Sequence, residues 1–292
     1  MTALAAVRPW WRMLLAGLAL TGCAAPSSTK LHRVLEHELG RGGDGLPNYR
    51  CTVGAHRGAS VEHRENTLAA LHAAENNPRF AFVEFDVQFT RDRQIVLFHD
   101  QRLLRIYGKF ASVGEATYDE LAALTGGDIA RYEEAMAIVT KPINLEIKSQ
   151  GDDEEDRLLV DTVMADLRAR GRDRDVMISS ISADIVRYLN QRYPDMPTGQ
   201  IFWLTSSTYL HWNSLTENLF EKIAETQADY LMLHVANLRN IEDLLTLKPK
   251  DKTIMFWDFD DRMYLVHKDR TDRLWGPRTA NRRAGARRIF GF

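Results

Sequence analysis

Between Ala55 and Asp100 four ionisable residues sit in or just after apolar, strand-like runs: His56 after TVGA, Glu84 and Asp86 within FVEFDVQF, and His99 after IVLF. Imidazoles with an unperturbed pKa of ~6.5 take up and release protons near neutrality, and carboxylates hold hard cations. These residue types allow acid/base or metal-assisted chemistry. A later run, INLEIK, alternates Asn144, Glu146 and Lys148 with Ile143, Leu145 and Ile147, which puts three polar groups on one side of a strand. Glu146 then joins Glu84 and Asp86 in an all-oxygen set suited to one divalent cation, Mg²⁺ or Ca²⁺.

Two features of the chain must bring these groups together. The link TRDRQ, Thr90 to Gln94, is short and polar, so the runs on either side of it join only as a hairpin or a very tight reversal. A turn centred near Asp92 places Phe85 opposite His99, level with Glu84 and Asp86. Period-two alternation sets Glu84, Asp86 and Gln88 on one face and Val83, Phe85, Val87 and Phe89 on the other. On an open sheet such a polar row would face solvent; inside a barrel it faces the chemistry.

Strand-like runs recur at Thr52 to Ala55, Phe82 to Phe89, Ile95 to Phe98, Ile143 to Ile147, Asp175 to Ser179, Gly199 to Trp203, Tyr230 to His234 and Thr253 to Trp257. Helical windows alternate with most of them, at Asn66 to Asn76, Tyr118 to Leu124, Asp152 to Arg170, Ala183 to Arg192, Asn213 to Glu225 and Asn240 to Leu247. This pattern predicts an α/β fold, and eight strands suit a TIM-type (β/α)8 barrel. A doubly wound sheet is the competitor, but the chain has no Gly-rich nucleotide loop, no GxxxxGK[ST] and no GxSxG. In a barrel the strand C-termini share one rim, which gathers His56, Glu84, Asp86, His99, Glu146 and Lys148.

With 292 residues, 45% hydrophobic, 27% charged and a net charge of −2, the composition is that of a globular protein with an ample core. It makes no case for nucleic acid, and no protein partner is evident. Arg8 and Arg12, the short apolar run Met13 to Leu20 and then Leu20-Thr21-Gly22-Cys23 resemble a bacterial lipoprotein signal. That resemblance makes 1–22 a signal peptide and Cys23 the lipidated mature terminus, anchored in the cell envelope. Ala24, rather than Asp, after the cysteine implies the outer membrane, facing the periplasm. Eight residues from Met13 to Leu20 are far short of the ~20 that span a bilayer. Residues 23–50, with GRGGDGLPN, read as a flexible tether, 51–267 as the barrel and 268–292 as a basic tail. The tail carries eight Lys or Arg against two Asp, a charge of +6, suited to a solvated end or to anionic lipid headgroups.

Five pieces in order, HRG at His56 to Gly58, ENT at Glu65 to Thr67, ExD at Glu84 to Asp86, HD at His99 and Asp100 and ExK at Glu146 to Lys148, resemble the glycerophosphodiester phosphodiesterase family. The resemblance implies a barrel of the phospholipase C-like phosphodiesterase kind. It implies His56 and His99 as the acid/base pair, Glu84, Asp86 and Glu146 as metal ligands, and Arg57 and Lys148 as contacts to the substrate phosphate. Trp257 occupies the place of the family's pocket tryptophan, and His234 is a further candidate for pocket lining. Asn66 and Thr67 read as caps of the following helix, and the acidic run Asp152 to Asp156 as a helix N-terminus. Ser179, Ser180 and Ser182 line the pocket at most.

The sequence departs from the family after Trp257, where Asp258, Phe259 and Asp260 replace its usual Thr-Val-Asn, so the closing strand is expected to be irregular. The stretch from His99 to Glu146 is short, so the family's inserted subdomain is small or absent. Metal-dependent hydrolysis of glycerophosphodiesters to glycerol phosphate and an alcohol is the implied activity. The alternatives are a phospholipase C/D-like enzyme acting on lysolipids or intact phospholipids, and a catalytically idle, lipid-anchored binding barrel.

Overall fold

The computed structural model describes residues 50–202, 224–234, 249, 251–259, 261–267 and 274–275. The signal segment, Cys23, nearly all of the tether, the helical window 240–247, most of 213–225 and most of the basic tail lie outside the described residues.

The strands are β1 (Arg50–Ala55), β2 (Phe82–Phe89), β3 (Ile95–Leu97), β4 (Ile143–Ile147), β5 (Val176–Ser180), β6 (Thr198–Phe202), β7 (Tyr230–His234), β8 (Thr253–Phe259) and β9 (Arg262–His267). They form one sheet in the order β1-β9-β8-β7-β6-β5-β4-β2-β3, and β1 also pairs with β2, so the sheet closes into a TIM-type barrel. Seven staves, β1, β2 and β4 to β8, run parallel wherever they adjoin. The eighth, β9, is antiparallel to both of its neighbours, β8 and β1.

The membership of the barrel therefore differs from the eight runs read in the sequence. Ile95 to Phe98 is not a stave: TRDRQ is too short for a crossover, so β3 folds back antiparallel on β2 and ends the sheet. The missing stave is Arg262–His267, which returns from β8 through a tight reversal past a bulge between Phe256 and Phe259. This hairpin is the irregular closure expected after Trp257.

The barrel interior fills in layers. Gly54 faces Phe82 across the β1–β2 seam, and a Cβ there would lie 2.1 Å from the Phe82 ring, so only glycine lets these strands meet. Phe82 and Tyr230, both at strand starts, hold Trp275 edge-on between them at 5.1 and 5.6 Å. Trp275 is buried, so the packed body takes a side chain from the segment assigned to the basic tail. Met177, Met232, Met255 and Met263 belong to the same cluster, and the polar groups of the site lie toward the opposite, C-terminal ends of the strands.

Outside the barrel run α1 (Leu68–Asn76), α2 (Leu104–Tyr107), α3 (Tyr118–Thr125), α4 (Tyr132–Ile138), α5 (Asp153–Ala169) and α6 (Ala183–Arg192). Asp152 caps α5 by accepting the Glu154 and Glu155 N–H groups at 2.9 and 3.1 Å, and Asp156 accepts from the Gln150 N–H and the Ser149 hydroxyl. Leu103, Val113, Leu121 and Ile129, from between His99 and Glu146, join Val96 and Phe98 in a small satellite core beside the barrel. Among the described residues no helix is long and apolar enough to cross a membrane.

Candidate active site

The hairpin that carries His99 has the register expected from its short link. Val87 pairs with Leu97, Gln88 with Val96 and Phe89 with Ile95, and the Phe98 N–H extends the series to the Asp86 carbonyl at 3.3 Å. The reversal is Arg91-Asp92-Arg93, closed by the Thr90 N–H to Gln94 and the Arg93 N–H to Thr90, both 2.9 Å, with Arg93 left-handed at φ 57°. Gln88 secures the far end: its amide nitrogen donates to the carbonyls of Phe98 and Asp100 at 2.7 and 2.9 Å, either side of His99. The side chain reaches across because β2 turns Glu84, Asp86 and Gln88 inward together.

The loop after β1 bends just as tightly. Arg57 and Gly58 are both left-handed, at φ 59° and 78°, and a Cβ on Gly58 would lie 2.7 Å from the Ala70 carbonyl carbon. The bend aims the Arg57 N–H at Glu84 Oε2, 2.7 Å away, and the Gly58 N–H at the Glu84 carbonyl. His56, buried, stands 6.1 Å from Trp257 ring to ring, and His234 meets the same indole edge-on at 5.1 Å. Trp257 thus packs against both His56 and His234.

Glu84, Asp86 and Glu146 lie on adjacent parallel strands, with Asp86 level with Glu146, and their ligand oxygens fall within 4.8 Å of one another. Burial, then repulsion from Asp86 and Glu146, holds the Glu84 carboxyl well above its ordinary pKa. Burial also pushes Glu146 up to about 7, with Lys148 opposing. Burial would raise Asp86 too, but Lys148, His99 and Arg57 outweigh it and hold that group well below its ordinary value. Glu84 Oε1 is buried and has no hydrogen-bond donor among the described residues, an anomaly that a cation would resolve. Three convergent carboxylates, one with an orphaned oxygen, fit a hard divalent ion.

Arg57 and Lys148, expected on the substrate phosphate, are paired with these carboxylates here. Lys148 Nζ lies 2.8 Å from Asp86 Oδ1 and also contacts Glu146 Oε1, while Arg57 Nε is 3.6 Å from Asp86 Oδ2. Lys148 also lines the cleft, so a bound anion could share it.

Asn66 departs from its expected role. Thr67 is the cap of α1, accepting the Ala70 N–H, whereas Asn66, left-handed at φ 56°, turns inward and grips Asp86. Its Nδ2 donates to Asp86 Oδ2 at 2.7 Å and its Oδ1 accepts the Asp86 N–H at 3.1 Å. Left-handed backbone is tolerated by asparagine, which makes this inward turn available.

A charged chain then links His99 to Arg57. His99 Nδ1 meets Asp100 Oδ1 at 2.6 Å; Arg105 donates to both Asp100 oxygens, 2.7 and 3.1 Å, and to both Glu65 oxygens, 2.8 and 2.6 Å; Arg57 donates to Glu65 at 2.9 Å. Burial would raise Asp100, but Arg105 and His99 keep it low, and burial lowers His99 against the pull of Asp86. Arg105 and Glu65 are 40 residues apart, beyond the reach of local sequence reasoning.

These groups open into a cleft of about 700 Å³ whose lining includes the charged His99, Glu146, Lys148 and Arg105 and the exposed apolar side chains of Leu104 and Ile181. Ser180 and Ser182 also line it, but Ser180 is bonded to the Ile147 carbonyl, Ser182 caps α6, and Ser179 donates to Asn144. None of the three is placed as a nucleophile beside a base.

Residues 56–275 match the model of the glycerophosphoryl diester phosphodiesterase family. A human lysophospholipase D is 29% identical over 187 residues, 56% of this chain and 56% of its own length. A glycerophosphodiester phosphodiesterase of Bacillus subtilis is 25% identical over 215 residues, 64% of this chain and 71% of its own. The chain thus spans about half the length of the human relative. A glycerophosphodiester phosphodiesterase structure from Thermotoga maritima superposes with TM-score 0.55 and 25% identity, covering 71% of this chain and 85% of that one. A phosphodiesterase structure from Oleispira antarctica, in complex with its product sn-glycerol-3-phosphate, shares the fold at TM-score 0.54 and 21% identity, covering 70% and 83%. With its motifs, barrel and family match running together from His56 to Trp275, the chain belongs to the glycerophosphoryl diester phosphodiesterase family.

Proposed function

We propose that this protein hydrolyses glycerophosphodiesters to glycerol phosphate and an alcohol, using His56 and His99 as the acid/base pair and a divalent cation, Mg²⁺ or Ca²⁺, held by Glu84, Asp86 and Glu146. The observation that carries this reading is the convergence of three buried carboxylates and two imidazoles on one end of the barrel, beside an open cleft. A cation bound there supplies charge neutralisation at the non-bridging phosphoryl oxygens. Arg57 and Lys148 add fixed positive charge on the same side.

His99 suits the proton acceptor. Its Nδ1–H is held by Asp100, which leaves the lone pair on Nε2, and burial keeps the ring neutral at pH 7. His56, across the cluster, then donates to the leaving alkoxide. In a glycerol diester the neighbouring glycerol hydroxyl is a ready nucleophile, giving a cyclic phosphate that water opens.

The second reading, a lysolipid substrate, is favoured by two exposed apolar side chains, Leu104 and Ile181, among the residues that line the cleft. A family member from human bears the name lysophospholipase D. Anchoring through lipidated Cys23 in the bacterial envelope rests on the signal-like sequence alone. The deciding experiment is a headgroup-release assay with glycerophosphocholine beside lysophosphatidylcholine, with and without chelator. Metal-dependent release from the first supports the main reading, and release from the second alone supports the lysolipid reading. Binding of either without release leaves only an idle barrel.

A further inference from the structure

The four most exposed large apolar side chains among the described residues are Phe110 at 77%, Val61 at 64%, Ile181 at 51% and Leu104 at 45%. All four belong to segments that surround one end of the barrel. Val61 lies in the loop leaving β1 at His56, and Ile181 directly follows β5. Leu104 and Phe110 lie in an excursion, residues 101–113, that follows His99 and is closed at its base by bonds from Leu103 to Ala111 and from Val113 to Gln101. Two contacts fasten that excursion to the β1 loop: Arg105 to Glu65, and the Arg64 guanidinium 4.8 Å above the Tyr107 ring. Leu104 and Ile181 also line the cleft from opposite elements.

Charge is distributed to match. The excursion 101–113 contains Arg102, Arg105 and Lys109 and no Asp or Glu. Arg105 is committed to Asp100 and Glu65, whereas Arg102 and Lys109 are exposed and form no ion pair among the described residues. Apolar tips interleaved with uncommitted cations, on a rigidly tied segment, have the chemistry of a surface that enters the headgroup layer of an anionic bilayer: apolar area enters the interface while each cation meets lipid phosphate. A protein partner would ask for a flatter, more continuous apolar patch with its own acidic complement.

We infer that the barrel mouth docks face-down on an anionic phospholipid surface through Val61, Leu104, Phe110 and Ile181, with Arg102 and Lys109 on lipid phosphates. The docking is independent of any tether at Cys23 and of which diester is cleaved, and it sets the cleft directly over the lipid surface.

The test is vesicle co-sedimentation of the full chain carrying Cys23→Ala, so that no lipidation contributes, read without turnover. Vesicles of phosphatidylcholine with roughly one third phosphatidylglycerol are compared with pure phosphatidylcholine. Val61→Ser/Phe110→Ser and, separately, Lys109→Glu should each weaken binding to the anionic vesicles by about fivefold or more, while melting temperature stays that of the parent. None of these three positions lines the cleft, so turnover of a water-soluble diester should also stay at the parent's level. Equal binding by parent and variants would overturn the inference, as would equal affinity for the neutral vesicles. A parent that dimerises through these residues, with vesicle binding unaffected by the substitutions, would assign the face to a second copy instead.

Discussion

Glu146→Gln separates the electrostatics of the carboxylate cluster from its chemistry. In the metal-free protein burial raises Glu146 from 4.5 to about 7, a rise that corresponds to about 3 kcal/mol. A group whose folded pKa is raised contributes stability that is whole below its unfolded pKa and is lost as pH climbs through the folded value. Chelated wild-type protein should therefore lose about 3 kcal/mol through this group between pH ~4.5 and ~7, whereas the glutamine variant loses none of it. At about 2–4 °C per kcal/mol for a domain of this size, the chelated variant should melt some 6–12 °C above the wild type at pH 8 and level with it at pH 4.5 or below. Lys148 does not become an orphan in the variant, because it keeps Asp86 at 2.8 Å. Saturating Mg²⁺ or Ca²⁺ should reverse the order by raising the wild type through preferential binding to the folded state, with a weaker response in the variant. Differential scanning fluorimetry across this pH range, with chelator or cation, reads all of these outcomes. A difference between wild type and variant that does not change with pH would refute the electrostatic account. A variant that gains as much from the cation as the wild type would remove Glu146 from the metal site.

His56→Ala and His99→Ala should each lower turnover at least ~100-fold while circular dichroism stays unchanged, measured as headgroup release. Asp100→Asn should shift the acidic limb of the pH–rate profile downward, because the carboxylate that favours the imidazolium is gone; an unmoved limb would detach Asp100 from His99. Trp275→Ala should cost about 3–5 kcal/mol in denaturant unfolding, since it empties the space between Phe82 and Tyr230. Cys23→Ala should abolish incorporation of a fatty-acid probe, and equal labelling of the variant would remove the lipoprotein reading.

What the sequence made legible was local and periodic. Alternation in FVEFDVQF and INLEIK was enough to put Glu84, Asp86 and Glu146 on one face, and the brevity of TRDRQ was enough to fold the run that leads to His99 back on β2 as far as the bond from Phe98 to Asp86. The windows for α5 and α6 matched within a residue or two, because Asp152 and Ser182 are strong N-caps ahead of amphipathic runs. What stayed hidden depends on partners far away in the chain. RMYLVH is an apolar run like any other until β1 is known to need a second neighbour, and the family pattern gave no guide past Trp257. Asn66 looked like a cap because asparagine caps helices well; that it instead reaches Asp86 follows from a left-handed backbone that no local propensity singles out. Arg105, Glu65 and Trp275 carry no local signal of their roles, because a lone arginine, a motif glutamate and an indole in a basic stretch acquire meaning only from what they touch.

The antiparallel seam between β9 and β1 has a consequence for the order of events during synthesis. Arg262 pairs with Ala55, and one step further the Asp261 carbonyl accepts the His56 N–H at 2.8 Å, so the backbone of His56, one of the proposed acid/base pair, is fixed beside the last strand among the described residues. Until that strand has left the ribosome, β1 has one edge paired with β2 and the other open, and the His56 loop lacks its final strut. Contacts of such long sequence separation form late, because the loop they close must be ordered first. A nascent chain would hold its carboxylates together on β2 and β4 well before it could position His56. On the proposed mechanism, cation binding would then appear early in refolding and turnover last, with the hairpin of β8 and β9 as the latch that sets His56 in place.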